Sequence, residues 1–115
     1  MKKTFCFDID GTLCESVESN YPESVPIEDR IRLVNSLKAA GHKIVLFTAR
    51  GASSGNDWSQ LTTTQMREWE VNFDQLIMGK PHADLYIDDK AILADDFFRP
   101  EFDPERTLDS KRGEG

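Results

Sequence analysis

The residues of this 115-residue sequence whose types suit chemistry fall into four groups: Asp8 with Asp10, Thr48 with Arg50, Lys80, and Asp88 with Asp89. Carboxylates gathered in one place repel and shift one another's pKa unless a cation sits among them. Oxygen donors without Cys or His select a hard cation, and a few carboxylates completed by waters and a phosphate oxygen is the usual magnesium arrangement. Lys80 offers a point charge and Thr48 a hydroxyl donor, which is what the other oxygens of a phosphoryl group require. The set reads as phosphoryl transfer.

The elements that must bring these groups together are visible as patterns. Thr4 to Ile9 is β-branched and aromatic with little polar alternation, the habit of a central strand covered on both faces of a parallel sheet. Lys43 to Arg50 repeats the pattern. Gln75 to Met78 and Ala83 to Ile87 are shorter runs, the last ending in Asp88 and Asp89. Between the first two strands Ile27, Ile31, Val34 and Leu37 form one stripe, with Pro26 at the first turn and Gly41 placed as a C′ cap, so a helix is expected there. Thr62 and Gln65 have capping-box spacing, with Leu61 and Met66 as a hydrophobic staple, predicting a helix from about Thr63 to Asn72. A short helix is expected within Ile92 to Phe98. Strand, helix, strand at this spacing implies a right-handed parallel crossover and an α/β, three-layer Rossmann-like sandwich. Ligands of such sheets bind at the carboxyl ends of the strands, where all four groups fall.

Residues 14 to 26 read as an irregular excursion and 51 to 60 as a Gly/Ser/Asn loop. Length favours one domain over residues 1–100, with a charged tail at 101–115. The net charge of −7 is uneven, balanced over the first fifty residues and acidic beyond them. A long nucleic acid is therefore not an expected partner. No apolar run approaches the ~18 residues that cross a bilayer, and the N-terminal residues do not form a secretory signal, so the expected location is cytoplasmic, with no membrane partner. Cys6 and Cys14 lack zinc or redox spacing; Cys6 reads as a small core residue, and His42 and His82 as solvated.

"DIDGT" at residues 8–12, Thr48 in "FTARG", Lys80 in "GKP" and Asp88-Asp89 in "YIDDK" occur in order and resemble the four motifs of the haloacid dehalogenase (HAD) superfamily of phosphatases. With "SGNDW" and "GKPHADLYIDDK", the chain is also similar to small phosphatase-like proteins of bacterial capsule and surface-polysaccharide biosynthesis. The resemblance implies a HAD-like fold in which Asp8 is the nucleophile and forms an aspartyl-phosphate. Asp10 would protonate the leaving alkoxide and later take a proton from water. Mg2+ would be held by the Asp8 carboxylate, the Asp10 carbonyl and Asp88, with Asp89 ordering its shell. Thr48 and the backbone after Asp8, at Gly11 and Thr12, would bind phosphoryl oxygens, and Lys80 would offset charge between nucleophile and phosphate. Arg50 is a candidate ligand for a substrate anion or a cap on its strand, and Trp58 a stacking wall or a core aromatic. Neither residues 12 to 26 nor the segment from Arg50 to Lys80 has room for a cap domain. A capless enzyme closes its site with the substrate, short loops or a second subunit, so a homo-oligomer is one expectation. The expected substrate is a small phosphorylated metabolite, a sugar or polyol phosphate first. The rivals are a nucleotide or nucleic-acid-end phosphatase and a non-catalytic phosphate- and magnesium-binding module resembling a response-regulator receiver.

Overall fold

The aromatic and β-branched run at the N-terminus forms β1 (Thr4–Phe7), followed by a two-stranded antiparallel flap, β2 (Cys14–Glu15) and β3 (Val25–Pro26), with a 3₁₀ turn at Tyr21–Glu23 between them. Next come α1 (Glu28–Ala39), β4 (Lys43–Thr48), α2 (Ser59–Glu68), β5 (Gln75–Met78) and α3 (Ala94–Phe97). This computed structural model describes residues 2–105. Two compact units divide the chain, the first running to Asp84 and the second beginning at Leu85. Among the described residues no helix is long and apolar enough to cross a membrane.

The first unit is an α/β body of Rossmann-like kind. Its parallel sheet has the order β1-β4-β5, with Phe7 opposite Leu46 and Thr48 opposite Met78. Parallel pairing leaves all three carboxyl ends at one edge, which is where the polar residues follow. β4, rather than β1, stands between the other two among the described strands. Its Ile44, Val45 and Leu46 are buried in succession, whereas β1 alternates and leaves Cys6 exposed, so Cys6 is not a core residue. Continuous burial belongs to the strand flanked on both sides. Ile9, Leu13, Val34, Ile44, Leu46 and Met66 are fully buried and centre the core.

α1 follows its apolar stripe, burying Ile31, Val34 and Leu37. At its end Gly41 takes φ +100, its N–H donates to Lys38 and the His42 N–H to Leu37. That is the paired closure of a Schellman end, which a residue without Cβ accepts at no steric cost. His42 is not solvated as expected: it is 5% exposed, its Nδ1 accepts the Lys3 N–H at 3.0 Å, and Phe5 meets it edge-on at 5.3 Å.

α2 differs most from expectation. It starts at Ser59, about one turn earlier than the Thr62/Gln65 spacing predicts. Asp57 Oδ1 accepts both the Ser59 N–H at 2.9 Å and the Ser59 hydroxyl at 2.6 Å, so the start is organised there. Thr62 and Gln65 are buried on the inward face and spend their polar atoms on the site. The run from Ala83 to Ile87, expected to be a fourth strand, straddles the boundary between the two units and is assigned no strand. In the second unit Phe97 is buried against Phe98 at 5.0 Å and Phe102 at 5.3 Å between ring centroids. Phe102 belongs to the expected tail; residues 106–115 of that tail lie outside the described residues.

Candidate active site

Asp8 follows β1 directly, and its neighbours come from the turn after it and from the far side of the sheet. The DGT turn closes as the N–H groups of Thr12, Leu13 and Cys14 converge on the Ile9 carbonyl at 2.8 to 3.3 Å. Gly11 stands at φ +81 and donates its N–H to the Cys14 carbonyl at 2.8 Å, a left-handed position natural to glycine. The turn buries Thr12, whose hydroxyl lies 3.3 Å from Asp8 Oδ2, a long donation. Lys80 arrives from beyond β5: Gly79 turns the chain at φ +91, and the Lys80 N–H donates to the Thr48 carbonyl at 2.9 Å. Its Nζ stands 6.0 Å from the Phe47 ring centroid and 3.7 Å from Asp8 Oδ1. That separation is an ion pair rather than a hydrogen bond.

Burial raises the Asp8 carboxyl above the usual range, outweighing the Lys80 charge and the Ile9 N–H that favour its ionised form. Asp10 is governed oppositely. Burial opposes its charge, but hydrogen bonds from Arg50 and Ser16 and the guanidinium charge together hold it below the usual range. Arg50 Nε donates to Asp10 Oδ2 at 2.9 Å and Nη2 to Oδ1 at 2.8 Å. The Ser16 hydroxyl adds 2.6 Å to Oδ1 and itself meets Ser24 Oγ at 2.6 Å, joining the two strands of the flap to the site. The Cys14 thiol, pushed up to about 11 by burial, lies 3.5 Å from the same oxygen and stays protonated at neutral pH.

These shifts have opposite signs in stability. Asp10, with its folded pKa depressed, contributes stability that is present above its unfolded value and lost as pH falls through the folded one. Asp8, with its folded pKa raised, takes stability away as pH rises from its unfolded value through the folded one. Asp10→Asn is therefore expected to flatten the acid side of the unfolding free energy below about pH 4, the unfolded carboxyl value, as read by urea unfolding in acidic buffers.

Behind Asp10, Arg50 is 3% exposed. Its Nη1 donates to Thr62 Oγ1 at 3.1 Å and Gln65 Oε1 at 2.6 Å, and its Nη2 also faces the Cys14 sulfur at 3.9 Å. Gln65 Nε2 in turn donates to the Tyr21 carbonyl at 2.7 Å, and the Arg50 guanidinium carbon lies 4.7 Å from the Tyr21 ring centroid. Thr48, fully buried, accepts the Arg50 N–H on Oγ1 at 3.2 Å. Trp58 is half-buried at the start of α2 and meets Tyr21 edge-on at 5.2 Å. It also closes over Gly51, where a Cβ would stand 2.2 Å from the Asn56 carbonyl oxygen and 3.3 Å from the Trp58 ring.

The first unit thus brings together Asp8, Asp10, Gly11, Thr12, Thr48, Arg50 and Lys80, with Trp58 on the flap side. Asp88 and Asp89 belong to the second unit. There Asp88 Oδ1 accepts the Lys90 N–H at 2.9 Å, and Asp89 pairs with Lys90 Nζ at 3.1 Å. Ser16, Tyr21, Thr62 and Gln65 were absent from the sequence-based set. For Thr62 and Gln65 the available signal was their position beside buried Met66 on one helix face, a place where polar side chains must find buried partners. Two hollows border α2, one lined by Ser59, Gln60, Thr63, Thr64 and Arg67, the other by Thr63, Met66, Arg67 and residues 70 to 73; neither contains a residue of this cluster.

No protein-family model matches the sequence, and no curated protein does. Solved structures do. A structural-genomics target from Vibrio cholerae is 27% identical, with a TM-score of 0.80, 98% of this chain covered and 99% of that one. A chain of a Pnkp1/Rnl/Hen1 complex is 21% identical at a TM-score of 0.56, with 90% of this chain covered and 36% of the other. A chain from a structure described as the Pnkp1/Rnl/Hen1 RNA repair complex gives 22% identity, a TM-score of 0.54 and coverage of 90% and 32%. This chain thus has the same overall fold as the Vibrio cholerae protein and spans about a third of the two longer chains.

Proposed function

We propose that this chain is a magnesium-dependent phosphomonoester hydrolase of HAD type that works through an aspartyl-phosphate on Asp8. The observation that carries the proposal is the pairing of the partly accessible Asp8 carboxylate with Lys80 at 3.7 Å, on the sheet edge that also holds Asp10. A lysine at that distance offsets charge between an anionic nucleophile and an anionic phosphate without a hydrogen bond that would blunt the attacking oxygen. Asp8 and the Asp10 backbone carbonyl are oxygen donors suited to a hard cation. Among the described residues no group of three His, Cys, Asp or Glu side chains is placed to hold a metal ion, so the shell at Asp8 and Asp10 needs waters and phosphate oxygens. Bound there, the cation would neutralise developing charge on the phosphoryl group.

In this reading Asp10 rests ionised in the free protein. The charge of a bound phosphoryl group raises its pKa by like-charge repulsion, so the acid needed by the leaving alkoxide arises in the substrate complex. After departure of the alcohol the same carboxylate accepts a proton from the hydrolytic water. Thr48 supports the floor of the site through the Arg50 amide, and the turn at Gly11 and Thr12 fixes Asp8.

The absence of room for a cap suits a small sugar or polyol phosphate whose own body covers the opening, with a role in capsule or polysaccharide biosynthesis as the proposed setting. The likeness to part of an RNA repair complex favours a second reading, a nucleotide or nucleic-acid-end phosphatase. A panel of sugar phosphates, nucleoside monophosphates and 3′-phosphorylated oligonucleotides, assayed for phosphate release with Mg2+, separates the two. Activity on at least one monoester, lost with a chelator and restored by Mg2+, is expected. Turnover that survives metal removal, or none on any monoester, overturns the proposal.

A further inference from the structure

We infer that Arg50 is the positioning residue for Asp10 and not a ligand for substrate, an inference that rests on the hydrolase reading above. A guanidinium carries five N–H donors and no acceptor. In this protein they are directed to the two Asp10 oxygens, the Thr62 hydroxyl, the Gln65 amide oxygen and the Cys14 sulfur, leaving none for a phosphate. The fork itself is fixed from behind by α2, and the Tyr21 ring covers it at 4.7 Å. Planar, bidentate pairing fixes direction as well as distance. Asp10 therefore cannot rotate about its terminal torsion without breaking one of two short bonds, and its orientation is set by a residue forty positions away.

The consequence is selective. A positioned acid matters to a substrate whose leaving group departs as a basic alkoxide and matters little to one whose leaving group is already a stable anion. Arg50→Lys retains the charge and loses the fork. It is expected to lower kcat/KM by about 100-fold on an alkyl phosphate such as glycerol phosphate, the lower range for a misplaced general acid, with a much smaller loss on p-nitrophenyl phosphate. Gln65→Leu removes one brace while leaving both Asp10 bonds in place, and is expected to give the same bias in weaker form. Circular dichroism and the unfolding temperature establish that each variant is folded; if Arg50→Lys is not, Gln65→Leu decides. Equal losses on the two substrates, or no loss, in a folded variant overturn the inference. A wild-type protein inactive on both substrates and on every other monoester of the panel instead overturns the hydrolase reading beneath it.

Discussion

Replacing Asp8 by Asn is expected to lower phosphate release by about 10⁴ to 10⁶-fold, the range reached when a nucleophile or its direct partner is removed, while leaving the protein folded. The size follows from the reaction: uncatalysed phosphate-monoester hydrolysis is among the slowest of biological reactions, so losing the covalent route forfeits most of the acceleration. Stability is expected to move the other way. Burial opposes ionisation of Asp8 more strongly than Lys80 favours it, so at neutral pH the native state carries a charge that it would shed if it could. An amide of the same shape relieves that cost. The variant without metal should therefore unfold at a temperature equal to or above that of the wild type, as measured by calorimetry at neutral pH. A variant that loses both activity and stability would mark Asp8 as a structural residue.

The second large effect is expected at Arg50. Its side chain has no exposed surface, while Asp10 retains about a quarter of its own. Arg50→Leu would leave Asp10 largely desolvated without its cation, and Thr62 and Gln65 without the donor they face. Breaking a buried pair from one side costs about 3 to 5 kcal/mol, and the residual exposure of Asp10 places this site near the lower figure. Urea unfolding should show that loss. Asp10→Leu together with Arg50→Leu should recover part of it, because an apolar pair of similar volume leaves no stranded charge. Equal losses in the single and double variants would show that the carboxylate was not the group destabilised by removing Arg50.

The strand ends were legible because each group with chemical potential directly follows an apolar run, and parallel pairing does the rest: Phe7, Thr48 and Met78 finish at one edge, and Asp8, Arg50 and Lys80 follow. α1 was legible for a similar reason, its period and Gly41 being local signals. What was not legible depends on distant partners. Thr62 and Gln65 satisfy a capping-box pattern in one dimension, but Asp57 already serves the start of α2, and a buried guanidinium claims both side chains. Whether Arg50 faces a substrate or Asp10 is decided by residues up to forty positions away. His42 carries no pattern of its own and is drawn inward by the Lys3 amide and the Phe5 ring.

The central claim is covalent, so the most direct measurement looks for the bond. Wild-type protein mixed with Mg2+ and an active phosphomonoester, quenched in acid during turnover and digested, is expected to yield a phosphorylated peptide with the group on Asp8, labile to hydroxylamine and absent from Asp8→Asn. Rapid turnover with no acyl-phosphate, or with the phosphoryl group on another residue, would contradict the account.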